Sequence, residues 1–518
     1  MNRTDTRYEH GKALLAEGHY PEAAAVFEQL SAEMPKFKKA WEKLALTYLN
    51  LDRISDAVHC YDEILIRYPK DSVALYQKSV LEEKSGNFDK ALDSVNKALK
   101  AEPENAEYLY FKGFLFFRKQ QINDAISWFD HSLDVDPFHF HSANYKCLCL
   151  MTLGIYDELI SSASEYVSRF QDMVIDSNKT DENNDDHHEH GGELFGKEFS
   201  EIKKEDLWRL FNYLSFSYMK LGAFKQAEEI LLRELEFDYE KPSVYYYLGL
   251  VQNALGQYEK AASAYESSLA EDPDFKASRL NLGLVLSKAA EKESETSGGS
   301  AENLSDRAIE LYRNSLSVLE QIISAEPENL TVLYEAGKIY SALGDIKKAE
   351  TLFSAILQLD ASFVPVYEHL AKMKLNEGNY EAALSLLSEA QIKDPFNYEV
   401  MNMTGVIYSK KGDNDFALKC LERAEMLDPF NPKAHYNKAL IFLKEKKYEK
   451  AADSLSKVTE ADAVKNGIPY EKVLNFYGTA LLNLGRREEA LVVFEKLLVF
   501  KPNDTDVLET ILDLKVKY

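Results

Sequence analysis

Three histidines, His187, His188 and His190, stand among Asp185, Asp186 and Glu189. These are donor types that hold a soft or borderline divalent metal. The stretch around them, SNKTDENNDDHHEHGGELFGKEF, has too few apolar residues before Leu194 to fold on its own. Metal ligands need an ordered surrounding shell to fix them, so we read the cluster as a polar loop and expect no metal there. Cys60, Cys147, Cys149 and Cys420 lack the CxxC spacing of zinc or redox sites. Cys147 and Cys149 flank Leu148 on a predicted helix, which points them in different directions. No GxxxxGK[ST] loop, HExxH pair or GxSxG elbow occurs, so neither a catalytic site nor a cofactor is expected.

The charge balance narrows the partners. Lys and Arg total 61 against 86 Asp and Glu, a formal charge of -25. Such a chain repels polyanions at long range, and phosphate binding draws on clustered basic residues, so nucleic acid is excluded as a general partner. The N-terminus MNRTDTRYEHGKALLAEGHY has no apolar signal core, and no stretch reaches the length of a membrane span. Sparse cysteine usage fits a reducing compartment, and a cytoplasmic location is expected.

What must position any site is a repeat. Pro35, Pro69, Pro103 and Pro137 stand 34 residues apart. Pro273, Pro327, Pro395, Pro429 and Pro502 take the same place in later units once an insertion near 288–305 and five extra residues near Gly467 are allowed for. Placing these nine at position 32 and carrying the register through the units between them gives thirteen units, starting at 4, 38, 72, 106, 140, 208, 242, 276, 330, 364, 398, 432 and 471. Position 8 is always small (Gly11, Ala45, Ser79 and Gly113 begin the series), and position 20 is Ala in all but two units, where Leu159 and Ser315 stand. Gly or a polar residue near position 15 predicts a left-handed end to a first helix. The proline ends a second. Small residues at 8 and 20 let the two helices approach closely, and large ones at 24 (Phe27, Tyr61, Phe129, Tyr265, Phe353, Phe494) fill the space beside them. One hairpin cannot bury its apolar face alone, whereas stacked neighbours can.

The pattern from Trp41 through Leu44, Ala45 and Tyr48 to Ala57, Tyr61 and Pro69 resembles the tetratricopeptide repeat, and the likeness covers nearly the whole chain. The resemblance implies an all-α fold: a right-handed α-solenoid superhelix of about thirteen helix hairpins with a concave groove, here closed by a C-terminal capping helix. The expected order is an N-terminal array over 4–173, whose fifth unit is degenerate, and an acidic, His-containing insertion over 174–207. A second array over 208–504 follows, with a loop insertion near 288–305, and then a capping helix over 505–518 built on Val507, Leu508, Ile511, Leu512 and Leu514.

In the resembled family the groove is lined by positions 2, 5, 9 and 12 of the first helix, together with 6 and 13. Positions 5 and 6 supply Tyr76, Tyr110, Phe111, Tyr145, Tyr213, Tyr246, Tyr247 and Tyr436, with Asn281 and Asn437 among them. Position 13 supplies Lys84, Arg118, Lys220, Lys288, Lys410 and Lys444. Tyrosine also packs well between helices, so each of these serves packing as readily as recognition. The family's two-carboxylate clamp for chaperone tails needs Asn at position 9, which no unit carries, so such a tail is not an expected partner. The expected function is a non-catalytic scaffold and adaptor that binds extended or helical protein segments in its groove. The alternative is a non-catalytic subunit or structural spacer of a larger enzyme assembly, with self-association through end repeats.

Overall fold

The computed structural model describes residues 3–180, 204–237, 239–296 and 304–516. His187, His188, His190, Leu194, Phe195 and Phe199 lie outside them. Among the described residues there are 28 α-helices, thirteen antiparallel pairs with two additions, and no strand. The chain divides into two compact units, Met1–Val285 and Leu286–Tyr518.

The hairpin contact forms as the spacing predicts. Ala23, Ala57, Ala91 and Ala125, all at position 20, have no exposed surface. At position 8, a Cβ added to Gly249 would lie 2.5 Å from the Tyr265 ring, and one added to Gly337 would lie 2.5 Å from the Phe353 ring. The aromatic at position 24 therefore occupies the volume that a side chain at position 8 would need. Position 15 adopts the left-handed conformation even without glycine, at Asp52, Gln120 and Lys446 (φ 57°, 60° and 58°).

Entry into the next first helix is capped by a residue two places after the proline. Asp71, Asn105, Asn329 and Asn397 accept the N–H of Ala74, Tyr108, Val332 and Val400 at 3.0–3.3 Å. Successive hairpins are also pinned by serines. Ser132 Oγ donates to Ala106 O and receives Ser142 Oγ, both at 2.8 Å. Ser268 repeats the pattern, donating to Pro242 O and meeting Ser278 Oγ, both at 2.7 Å. At this position the hairpin beginning near residue 208 carries Glu234, fully buried. Only Ser215 and Asn212 stand by to offset the burial of its carboxyl.

Several expected boundaries move. Residues 174–180, read as the start of the acidic loop, continue the helix Tyr156–Thr180, and residues 204–207 already belong to Lys204–Lys220. Residues 288–296, read as part of the loop insertion from their Ser and Glu content, are helical: Lys276–Thr296 runs on because Ala289 and Ala290 are buried. The extra residues before Gly467 form a short helix, Glu460–Lys465. The last helix, Thr505–Val516, packs Val507, Ile511 and Leu514 onto the final hairpin, while Leu508 and Leu512 stay exposed.

Candidate functional site

The first helices carry the residues expected to line a groove, and their packing separates those residues into groups. In Met1–Val285, Tyr76, Tyr110 and Phe111 are buried, each under a tenth exposed, and do not offer a binding surface. Tyr76 Oη donates to Glu107 Oε1 at 2.6 Å, and the Tyr110 ring lies 5.3 Å from His139 and 5.8 Å from Tyr145. Positions 5 and 6 thus meet the first helix of the following hairpin and become inter-hairpin core. Tyr145, Tyr213, Tyr246 and Tyr247 are half-buried. Tyr246 leans on Tyr247 and Phe275 at 5.4 and 5.6 Å.

The basic residues differ too. Lys84, Lys220, Lys288, Lys410 and Lys444 are exposed. Arg118, expected with these lysines among the basic residues of the groove, pairs with the nearly buried Glu83 at 2.5 Å and spreads over the Phe88 and Phe114 rings. Its charge is engaged within the fold. In the second unit, Asn437 Nδ2 donates to the buried Asn402 at 2.9 Å, and Tyr436 lies 6.4 Å from Phe476. In Lys276–Thr296, Asn281 bonds its own helix at Ala277 O.

Positions 9 and 12 of the first unit form a more open apolar row. Phe114, Phe117, Leu148, Met151, Phe216, Met219 and Leu250 recur there in consecutive first helices, all half-buried. Tyr145 bridges two of them, 5.4 Å from Phe114 and 5.5 Å from Phe117. The Lys220 ammonium sits 5.0 Å from the Phe216 ring. Such a row presents aromatic and thioether surface with a cationic margin, the composition of protein-contact surfaces. The resemblance names positions 9 and 12 as groove lining, yet apolar residues there cannot be told by type from those of the core-facing packing stripe at 4, 7 and 11 of the same helix. In the second unit, position 9 is Lys338 and Lys372 in the hairpins starting at 330 and 364, and Val406 and Leu440 in the next two.

One constellation has the order of a nucleophilic relay. Ser142 Oγ lies 3.0 Å from His139 Nδ1, and His139 Nε2 lies 3.1 Å from Glu107 Oε2. Burial would raise the Glu107 carboxyl, but hydrogen bonds from His139 and Tyr76 hold it below its usual range. Ser142 has no exposed surface and engages Ser132, so no substrate carbonyl can reach it. His139 instead caps Phe140–Leu153, its Nδ1 accepting Ser142 N–H. The relay is a structural lock. The thiols are likewise unsuited to chemistry: burial pushes Cys60, Cys147 and Cys149 each to about 12. No helix among the described residues is long and apolar enough to cross a membrane.

Comparison with known proteins places matches along both units. Tetratricopeptide repeat profiles match residues 14–78, 76–140, 217–286, 330–363 and 403–466, together more than half of the chain. Protein FlbA of Caulobacter vibrioides is 26% identical over 201 residues, covering 36% of this chain and 33% of that protein. BBSome complex member BBS4 of Bos taurus is 20% identical over 211 residues, covering 41% and 36%. The chain therefore spans about a third of the length of these relatives. The crystal structure of yeast Tom70 aligns over 93% of this chain and 95% of its own, with 17% identity and a TM-score of 0.43.

Proposed function

Because this chain belongs to the tetratricopeptide repeat family, we propose that it is a non-catalytic scaffold that holds protein segments against its first-helix faces. The half-buried row from Phe114 to Leu250 carries this reading. It is apolar surface kept partly open in consecutive hairpins, flanked by Tyr145, Tyr213 and Lys220. An extended or helical segment with apolar anchors fits it, with the anchors supplying most of the affinity and the lysines orienting encounter. The net charge of -25 speaks against nucleic acid, and the buried thiols suit a reducing cytoplasm. Affinity capture from native lysate tests the proposal. Phe114→Ala with Phe216→Ala should lower recovery of the main partners at least about tenfold, as loss of anchor residues does. Equal recovery by a folded variant would refute the first-unit face as the site.

A second reading, a subunit or spacer within a larger assembly, is favoured by one observation. Phe396 and Phe430, at the same position of consecutive hairpins in the second unit, are 72% and 89% exposed, with Ile392 and Met426 exposed beside them in sequence. Apolar surface of this kind marks contact sites, and it lies in and just after the last turns of the second helices rather than on the first-helix faces.

A further inference from the structure

The extra turns that the insertion gives to Lys276–Thr296 build something a plain hairpin lacks. Ser287 and Glu291 form one side of a cleft of about 510 Å³, closed by Tyr312, by Lys338 and Ile339, and by His369, Lys372 and Met373. A volume of several hundred Å³ is that of a ligand-sized site. Its floor is apolar, since Tyr312, Ile339 and Met373 are all buried.

The polar groups around that floor are unequally engaged. Lys338 is neutralised by Glu291 at 3.3 Å and Glu335 at 3.0 Å. Glu377 is held by Lys374 at 3.1 Å. Lys372 is exposed, and among the described residues it is in no ion pair; Glu368, one turn before it, is the nearest acid along its helix. His369 packs its ring 5.1 Å from Phe353, and burial, with Lys372 and Lys338, lowers it to about 4, so it is neutral at physiological pH. Ser287 is 2% exposed, and its hydroxyl has no hydrogen-bond partner among the described residues. The cleft thus holds an exposed cation, outside any ion pair and facing the field of Glu368, and an unused buried hydroxyl above an apolar floor.

We propose that this cleft binds a short peptide segment in which a carboxylate side chain adjoins an apolar one. The carboxylate accepts from Lys372 and Ser287, and the apolar side chain rests on Tyr312, Ile339 and Met373. The proposal rests on the scaffold reading and assigns one of its subsites. Apolar contact supplies area, while the Lys372 ammonium, outside any ion pair, supplies preference for an acidic residue. Glu291 and Glu377 confine that residue to the Lys372 side of the cleft by repelling it elsewhere on the rim.

The test uses fluorescein-labelled, end-capped hexapeptides with Leu-Glu, Leu-Gln or Ala-Glu at the centre, titrated against the full chain by anisotropy. The Leu-Glu peptide should bind about tenfold more tightly than Leu-Gln, the effect of one charge-assisted hydrogen bond. It should also bind more tightly than Ala-Glu. Lys372→Ala, an exposed change that leaves the helix intact by circular dichroism, should bring the Glu-to-Gln ratio close to one. A wild-type ratio of one, or a ratio that survives in Lys372→Ala, overturns the assignment. If that happens while the Phe114 and Phe216 changes still abolish partner capture, only the cleft falls and the scaffold reading stands. If instead the ratio depends on Lys372 while the Phe114 and Phe216 variant captures partners undiminished, the cleft stands and the first-unit face falls.

Discussion

Gly249→Val is expected to destabilise its hairpin by about 3 kcal/mol, the upper range for overpacking a well-filled core. A bare Cβ there already meets Tyr265 Cε1 at 2.5 Å and Cζ at 2.7 Å, and the Tyr265 ring is fully buried, with nowhere to move. The valine methyl groups compound the overlap. Ala45 opposite Tyr61 shows that a hairpin built for it accepts one methyl at this position, so the larger residue makes the sharper test. Tyr265→Leu should recover much of the loss, because Ala371 with Leu387 and Ala439 with Leu455 are this chain's own examples of the smaller pairing. Thermal unfolding and hydrogen exchange across Tyr258–Glu271 report it. Exchange localises the effect where unfolding of a repeat array need not be two-state. Additive effects of the two changes would show that the two side chains do not compete for one volume.

The second large effect is pH dependence centred on Glu234. Burial raises its carboxyl to about 7, with Ser215 and Asn212 offsetting only part of the cost. An ordinary glutamate in the unfolded chain releases its proton near pH 4.5. Between those values the folded protein keeps a proton that the unfolded chain gives up, so stability is full below about pH 4.5 and is lost as pH rises through about 7. The difference corresponds to about 3 kcal/mol. Glu234→Gln should abolish the slope and leave the helix Phe224–Glu234 better protected than wild type at pH 8, with little difference at pH 5. Comparing exchange in that helix with Tyr380–Lys393 at each pH removes the intrinsic rate. A wild-type slope that persists in the variant would assign the pH dependence elsewhere.

Much of the fold was legible because it repeats. The proline phase marks the ends of second helices, and the small residues at positions 8 and 20 and the large ones at 24 follow from one steric contact, so successive copies reinforce the same reading. The insertions were less legible. Residues 288–296 read as loop by composition, yet burial of Ala289 and Ala290 extends the helix and carries Glu291 into a cleft wall that no repeat pattern announces. The site residues were the least legible. Tyr76, Tyr110 and Phe111 have the positions of groove anchors, but neighbouring first helices cover positions 5 and 6. Arg118 has the position of a free cation, but Glu83, a whole unit earlier, engages it. These outcomes depend on contacts between repeats, which the pattern within a repeat does not encode. The same limit applies to Phe117 and Met151, whose partial exposure separates them from the packing stripe only in three dimensions.

The scaffold account is tested most directly by site-specific photocross-linking in native lysate. A benzophenone side chain replaces Leu148 or Met219 on the first-helix face, or Val135, an exposed residue of the second helix Ile122–Val135. The account predicts that one or a few discrete proteins are trapped from positions 148 and 219, that the same proteins are absent from position 135, and that Phe114→Ala with Phe216→Ala removes them. Discrete partners trapped from position 135 alone, with positions 148 and 219 silent in folded protein, would contradict it.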